Sequence, residues 1–222
     1  MDGMVSILQK QIRVCEIFYS IQGESTFMGL PCIFVRSAGC DLRCTWCDTS
    51  YSFKVGEKWD IAQILQKIKT WPCNLVELTG GEPLLQSHIP ELAEVLLEKK
   101  YTVLCETGGH RDIGILDRRV IKVMDIKCPG SGESHRNFWP NLDKIEAKDQ
   151  VKFVIKDRAD YEWALAIVKK YDLEKGPIIL FSPVFGELEY SLLAEWVLQD
   201  GVRARMQLQL HKFIWDPEKR GV

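Results

Sequence analysis

Six short runs rich in β-branched and aromatic residues, "CIFVRS", "NLVELT", "YTVLCE", "VIKVMDI", "VKFVIK" and "IILFSPV", recur along the chain. Near-continuous apolar runs of this length suit strands covered on both faces. Four segments elsewhere carry apolar residues at helical spacing: Ile61/Ile64/Leu65/Ile68, Ile89/Leu92/Ala93/Leu96, Tyr161/Ala164/Leu165/Val168 and Leu188/Leu192/Leu193/Trp196. Asp60 with Gln63, and Ser87 ahead of Pro90, fit helix starts, because those side chains or that ring suit the unpaired N–H groups of a first turn. Strand and helix in alternation predict an α/β fold with a parallel sheet. The expected form is a partial (β/α)6-type barrel with an additional N-terminal strand in "QIRVCEIFYS". A single domain over residues 1–222 is expected, somewhat short of the about 250 residues of a full eightfold barrel.

Each strand ends in sequence of a different character. In order these ends are "GCDLRCTWCDT", "TGGEP", "ETGGHR", "DIKCPGSGE", "KDRAD" and "SPVFGE". Parallel α/β folds gather functional groups at the C-terminal strand edge, so these loops are expected to converge on one mouth. For "KDRAD" an ordinary turn is the simpler expectation, since such residues dominate any loop.

Composition narrows the function. Apolar residues make up 46% of the chain and charged residues 27%, the balance of a soluble globular protein. No apolar run approaches the roughly 18 residues of a membrane span. The start, "MDGMVSILQKQIRV", has no basic-then-apolar leader, which suggests the cytoplasm. A net charge of −2 gives no support to a nucleic-acid surface.

Cys40, Cys44 and Cys47 pack three potential ligands into one loop. A structural zinc ion needs four closed ligands, and no second pair stands elsewhere in the sequence. A ferredoxin-type cluster takes four thiolates, so the fourth would come from the scattered cysteines. The third possibility is a [4Fe-4S] cluster on three thiolates, with S-adenosylmethionine (SAM) on the remaining iron. Cys15, Cys32, Cys73, Cys105 and Cys128 read as core or near-core thiols.

The C-x3-C-x2-C spacing with Trp46 before its last cysteine, followed by "TGGEP" at Thr79–Pro83, resembles the motifs of the radical SAM superfamily. Glycines there let the backbone approach a cofactor. "FYSIQGESTFMGLPCIFVRSAGCDLRCTWCDTSYSF", "TGGEPLLQ", "DIKCPGSGE" and "QLQLHKFIWDP" together resemble the 7-carboxy-7-deazaguanine synthase family over nearly the whole chain. That resemblance implies the conversion of 6-carboxy-5,6,7,8-tetrahydropterin to 7-carboxy-7-deazaguanine with loss of ammonia, a carbon–nitrogen lyase reaction of queuosine and 7-deazapurine biosynthesis. It implies a [4Fe-4S] cluster, SAM and Mg²⁺ as cofactors, a flavodoxin or ferredoxin as electron donor, and a homodimer.

By the same resemblance Cys40, Cys44 and Cys47 match the cluster ligands and Thr49 the Mg²⁺ ligand. Trp46, Cys47, Asp48, Gly81, Asp125, Ile126, Lys127 and Ser182 match SAM contacts, and Ile21, Gln22, Gly23, Glu24, Arg36, Thr79 and His211 match substrate contacts. Arg36 offers a carboxylate a fixed fork of donors, but a strand-end salt bridge would use the same group. Thr49 is a neutral oxygen suited to Mg²⁺, or a turn-capping hydroxyl. Pairing with a nearby cation is the alternative role for Glu24, and His88, His110 and His135 read as surface or loop residues. A glycyl-radical-enzyme activase and a zinc-bearing binding module remain the alternatives.

Overall fold

In the computed structural model, residues 6–222 are described; the leaderless start falls partly on residues outside that range. One nine-stranded sheet runs through the chain in the order β3-β1-β2-β4-β5-β6-β7-β8-β9. Strand β1 (Gln11–Ile21) is antiparallel to β2 (Pro31–Ser37) and to the short β3 (Glu57–Asp60). From β2 onward the sheet is parallel, through β4 (Leu75–Gly80), β5 (Thr102–Thr107), β6 (Ile121–Asp125), β7 (Gln150–Ile155), β8 (Ile178–Pro183) and β9 (Ala204–Met206). All six sequence-predicted parallel strands form, as does the N-terminal one. The result is the open, partial barrel expected of the pattern.

Helices α1 (Ile61–Ile68), α2 (Ile89–Glu98) and α3 (Arg158–Lys170) bury the stripe that their periodicity marked, apart from Leu165, which is only partly buried. Asp60 and Gln63 form the reciprocal capping box. Three expectations need correction. The residue before α2 is His88 rather than Ser87, with no side-chain cap. Helix α4 (Tyr190–Asp200) begins after Leu188 and fully buries only Leu193, leaving Leu192 exposed. The β5–β6 and β6–β7 crossovers carry only short 3₁₀ turns, because glycines interrupt the first stretch, and glycines with Pro129 and Pro140 the second, before a helix can propagate. A final turn, α5 (His211–Ile214), follows β9.

The main core lies between the outer sheet face and the helices, from Ile12 and Ile33 through Phe153, Tyr161 and Leu193. Cys32, Cys105 and Cys128 are buried, Cys15 and Cys73 half-buried, and all are free. A buried ion pair joins β6 to the start of β7: Lys122 Nζ lies 3.1 Å from Asp149 Oδ2, with the side chains 4% and 0% exposed. Asp149 also accepts the backbone N–H groups of Lys122 and Glu146, both at 2.9 Å. Deleting this carboxylate strands an ammonium and two N–H groups away from water. Asp149→Ala should therefore lower unfolding stability by about 3–5 kcal/mol in urea titration. A loss below about 1 kcal/mol would mean that the ammonium reaches water.

Candidate active site

Strand pleating sends alternate side chains to the barrel interior. Phe18, Cys32, Phe34, Leu75 and Leu104 form a second apolar cluster there. Beyond this floor, toward the C-terminal strand ends, the same face turns polar. Register sets Arg36 beside Thr79 and Asp125 beside Lys152, while Glu77 neighbours Phe34 and Leu104.

Lys152 is the hub of this wall. Its ammonium, on a side chain 7% exposed, contacts Glu106 directly, lies 3.0 Å from Glu24 Oε2 and stands 4.0 Å from Asp125 Oδ2. Burial alone would lower its pKa, but Glu106, Glu24 and Asp125 outweigh that and hold it well above the ordinary lysine value. Burial would likewise raise Glu24, yet Lys152, a hydrogen bond from Gln209 and His211 bring it below the ordinary range. The pairing expected as an alternative role for Glu24 is thus realised inside the cavity.

Glu77, 4% exposed, takes the opposite course. Burial, then the neighbouring Glu106 and Glu24 charges, push its carboxyl well above 4.5, and the Gln22 amide donates to its Oε2. A raised folded-state pKa contributes stability below the unfolded value and loses it as pH rises through the folded value. Glu77→Gln should remove this dependence. From pH 5 to 9 its unfolding free energy, from urea titration, should fall less than the wild type's, the gap growing by up to about 1.4 kcal/mol per pH unit between the unfolded and the raised folded pKa of Glu77. Parallel curves would contradict a buried neutral carboxyl.

The "SIQGE" segment crosses this wall. Gln22 is buried and accepts the Glu24 N–H at 2.8 Å, while Ser25 and Thr26 donate their N–H groups to the Gln207 and Gln150 side chains at 2.9 Å. Gly23 lies against His211: a Cβ there would come 2.1 Å from Nδ1. Leu210 N–H bonds the Gly23 carbonyl at 2.9 Å. Ile21 instead lines a cavity of about 200 Å³ with Tyr19, Ser20, Pro31, Trp215, Gly221 and Val222. Arg36 Nε donates to Glu16 Oε1 at 2.8 Å, and Tyr51 donates to the same oxygen at 2.7 Å. The salt bridge is therefore real, and it leaves the two terminal guanidinium nitrogens without a hydrogen bond among the described residues. Thr79 donates weakly to Glu106 at 3.4 Å.

The cysteine loop follows β2 and is docked on the loop after β6. Thr45 N–H bonds the Ser131 carbonyl at 3.1 Å, its hydroxyl bonds the Gly130 carbonyl at 3.0 Å, and Arg43 N–H bonds Glu133 at 2.6 Å. Asp160 on α3 in turn accepts the Gly130 N–H at 2.8 Å. "DIKCPGSGE" thus serves as the seat of the cysteines. The three thiols are half-buried, and burial raises the pKa of each. Among the described residues no three His, Cys, Asp or Glu side chains close around a single ion.

The "TGGEP" glycines are pressed against this loop. Gly80 has φ +149°, and a Cβ on Gly81 would meet the Gly39 carbonyl oxygen at 2.4 Å and Cys40 Cβ at 2.8 Å. Just past β6, Lys127 Nζ binds Asp125 Oδ2 at 2.8 Å, while Asp125 Oδ1 is buried with no hydrogen-bond partner. An orphaned carboxylate oxygen beside a cation and three thiols fits a polar cofactor that supplies the missing donor. Ile126 puts its side chain in the core, so only its backbone faces this region. The Ser182 hydroxyl donates to the Gln207 carbonyl at 3.3 Å. Trp46 is half-buried within the loop.

At the loop's end Thr49 Oγ1 donates to Asp48 Oδ1 at 2.9 Å. Asp48 also accepts Gln209 Nε2 at 3.2 Å and Lys212 Nζ at 3.1 Å, which ties the C-terminal segment to the cysteine loop. Partial burial, at 48% side-chain exposure, would raise this carboxyl, but Lys212 and the donors around it hold it well below the usual range. Glu77, Glu106 and Lys152 went unnoticed in the sequence, although each is a charge at an alternate position of an apolar strand. Such a charge is too costly to bury without a partner.

Residues 34–185 match the family described as the Radical SAM superfamily. The chain is 43% identical over 226 residues to the 7-carboxy-7-deazaguanine synthase of Koribacter versatilis (strain Ellin345), covering 95% of this chain and 100% of the relative. It is 45% identical over 215 residues to the enzyme of that name from Chlorobaculum tepidum, covering 95% and 97%. The crystal structure of QueE from Escherichia coli has the same fold, with a TM-score of 0.78 at 20% identity over 93% of this chain and 98% of that one. A radical SAM enzyme uses a [4Fe-4S] cluster and SAM, so the zinc-module alternative falls away. With full-length identity well above 30% to two such enzymes, the chain belongs to the 7-carboxy-7-deazaguanine synthase family of the radical SAM superfamily.

Proposed function

We propose that this protein, as one catalytic domain, converts 6-carboxy-5,6,7,8-tetrahydropterin to 7-carboxy-7-deazaguanine with release of ammonia. What carries the proposal is one juxtaposition: a three-cysteine loop stands at the mouth of a barrel whose inner wall offers donors and acceptors on several sides. Cys40, Cys44 and Cys47 would hold the cluster, and Asp125, Lys127, Gly81, Ser182 and the Trp46–Asp48 and Ile126 backbone would hold SAM. When bound, the cluster and SAM supply one-electron, hydrogen-abstracting chemistry.

The chain's own residues do the rest. Arg36, held at Nε by Glu16, keeps its two terminal nitrogens for the substrate carboxylate. Glu24 accepts from the aminopyrimidinone edge while Lys152 keeps it ionised. Gln22, Gly23 and Thr79 shape the pocket, with Ile21, whose side chain lines the separate cavity, leading the chain into it; His211, packed on Gly23, closes one side.

Thr49 is proposed as the one side-chain ligand of Mg²⁺, with the ionised Asp48 behind it. A neutral oxygen near a fixed negative charge suits a hard cation that keeps waters and substrate oxygens. Thr49→Ala should keep the iron content and raise the Mg²⁺ concentration for half-maximal rate about tenfold, or ~1.4 kcal/mol. An unchanged Mg²⁺ response would refute the assignment.

On the same reading the enzyme works in the cytoplasm as a homodimer and takes electrons from a flavodoxin or ferredoxin, as family membership implies. Among the described residues no helix is long and apolar enough to cross a membrane. The deciding experiment is anaerobic reconstitution with iron and sulfide, followed by SAM, reductant and the carboxy-tetrahydropterin. A deazapurine product is expected; SAM cleavage without it would sink the substrate assignment.

A further inference from the structure

His110, expected as a surface or loop residue, does lie in a loop, but its side chain is buried, only 1% exposed. It comes from "ETGGHR" after β5 and stands between the other two strand-end loops. Its Nε2 lies 2.7 Å from Asp41 Oδ1, next to Cys40, and its Nδ1 lies 3.6 Å from Glu82 Oε2, next to Gly81. That second distance is beyond a hydrogen bond, and Nδ1 is buried without a partner. The imidazole therefore donates from Nε2 and keeps its other nitrogen facing the Glu82 carboxylate.

Both partners are fixed from elsewhere. Glu82 is fully buried and accepts from Leu84 N–H at 3.0 Å, the Thr107 hydroxyl at 2.8 Å and Gly108 N–H at 2.9 Å. Asp41 also accepts Arg111 at 2.6 Å and Arg136 at 2.9 Å. A Cβ on Gly108 would come 3.1 Å from His110 Nδ1 and 3.3 Å from Glu82 Oε2, so glycine there leaves room for the ring. The arginines are partly exposed, at 43% and 37%, and bind Asp41 only from outside. His110 thus spans from Asp41 in the cysteine loop to Glu82, alongside the direct backbone bond from Glu82 N–H to the Gly39 carbonyl at 2.9 Å.

We propose that His110 is a positioning residue that sets the spacing between the cysteine loop and the Gly80–Glu82 backbone, and so between the cluster and SAM. This rests on the cofactor assignments above. Displacing either loop by half an ångström changes how SAM meets both at once, whereas the fold depends on His110 only through its volume. Outer partners of this kind typically cost 10–100-fold when lost.

The test uses the reconstituted holoprotein. His110→Phe keeps the buried volume and removes both polar contacts; His110→Gln restores a donor. The Phe variant is expected to take up iron like the wild type, to bind SAM at least about tenfold more weakly, and to lose the SAM-induced change in the electron paramagnetic resonance g-values of the reduced cluster. The Gln variant should recover part of both. Wild-type SAM affinity and g-values in the Phe variant would overturn the proposal. If that variant fails to fold, Asp41→Ala removes the acceptor from the half-exposed end of the bridge, with Arg111→Ala and Arg136→Ala as controls that strip only the outer contacts: weakening beyond the controls supports the proposal, and an effect no larger than theirs overturns it. A wild-type protein that binds no four-iron cluster would instead refute the cofactor assignment itself.

Discussion

Lys152→Met should destabilise the protein by about 3–5 kcal/mol at pH 7, and the loss should shrink in acid. Methionine fills nearly the same volume, so the charge is what is removed. Lys152 is a buried cation with Glu106, Glu24 and Asp125 around it. Its raised folded-state pKa makes its contribution complete at neutral pH, to be lost only as pH climbs through that raised value. Without the ammonium, burial would lift the Glu24 carboxyl above its ordinary value instead of leaving it lowered. The variant's stability would then fall as pH rises through that new value. Denaturant titrations at pH 5 and pH 8 should show a wider gap from wild type at pH 8. An equal gap at both would point to packing rather than charge. On the substrate role proposed for Glu24, turnover should fall too, because a protonated carboxyl is a poorer acceptor for the aminopyrimidinone edge.

The parallel strands were legible because burial on both faces leaves an unbroken apolar signature. β3, "EKWD", and β9, "ARM", carry no such mark, being short edge strands held by a neighbour rather than by their own pattern. The cysteine loop was legible because its ligand spacing is local, and its seat could be guessed only in outline. The polar wall was not legible as a unit: Glu24 and Lys152 meet across 128 positions, and Asp41 and His110 across 69. No local pattern encodes such a meeting. His110 shows the limit most plainly, since a histidine beside two glycines looks like loop until three strand ends are brought together.

The same convergence explains the two glycines of "TGGEP". They were expected to leave space for a cofactor, yet their nearest neighbours are the protein's own Ser37, Gly39 and Cys40. Glu82 N–H bonds the Gly39 carbonyl at 2.9 Å, so the β4 and β2 ends are locked backbone to backbone just before the first cysteine. Cofactor approach and loop locking are compatible, because a backbone that can press on Cys40 also lies beside whatever Cys40 binds.

Gly81→Ala should consequently lose the cluster without losing the fold. Its backbone needs no left-handed conformation, so the whole effect comes from a methyl placed 2.4 Å from one carbonyl oxygen and 2.8 Å from Cys40 Cβ. Neither neighbour is a flexible side-chain end; the cysteine loop itself must move. A shift of about 1 Å is enough to take a thiolate out of bonding range, since metal–ligand distances tolerate only about 0.2 Å. Iron and sulfide after anaerobic reconstitution should drop below half the wild-type content, while stability falls by about 1–3 kcal/mol. Gly29→Ala separates collision from strain: Gly29 has φ +91° and no atom within 4 Å of a built Cβ, so it should cost about 1 kcal/mol and leave the iron content unchanged. Full iron in Gly81→Ala would show that the loop can retreat intact, and the locking contact would then have no part in holding the cluster.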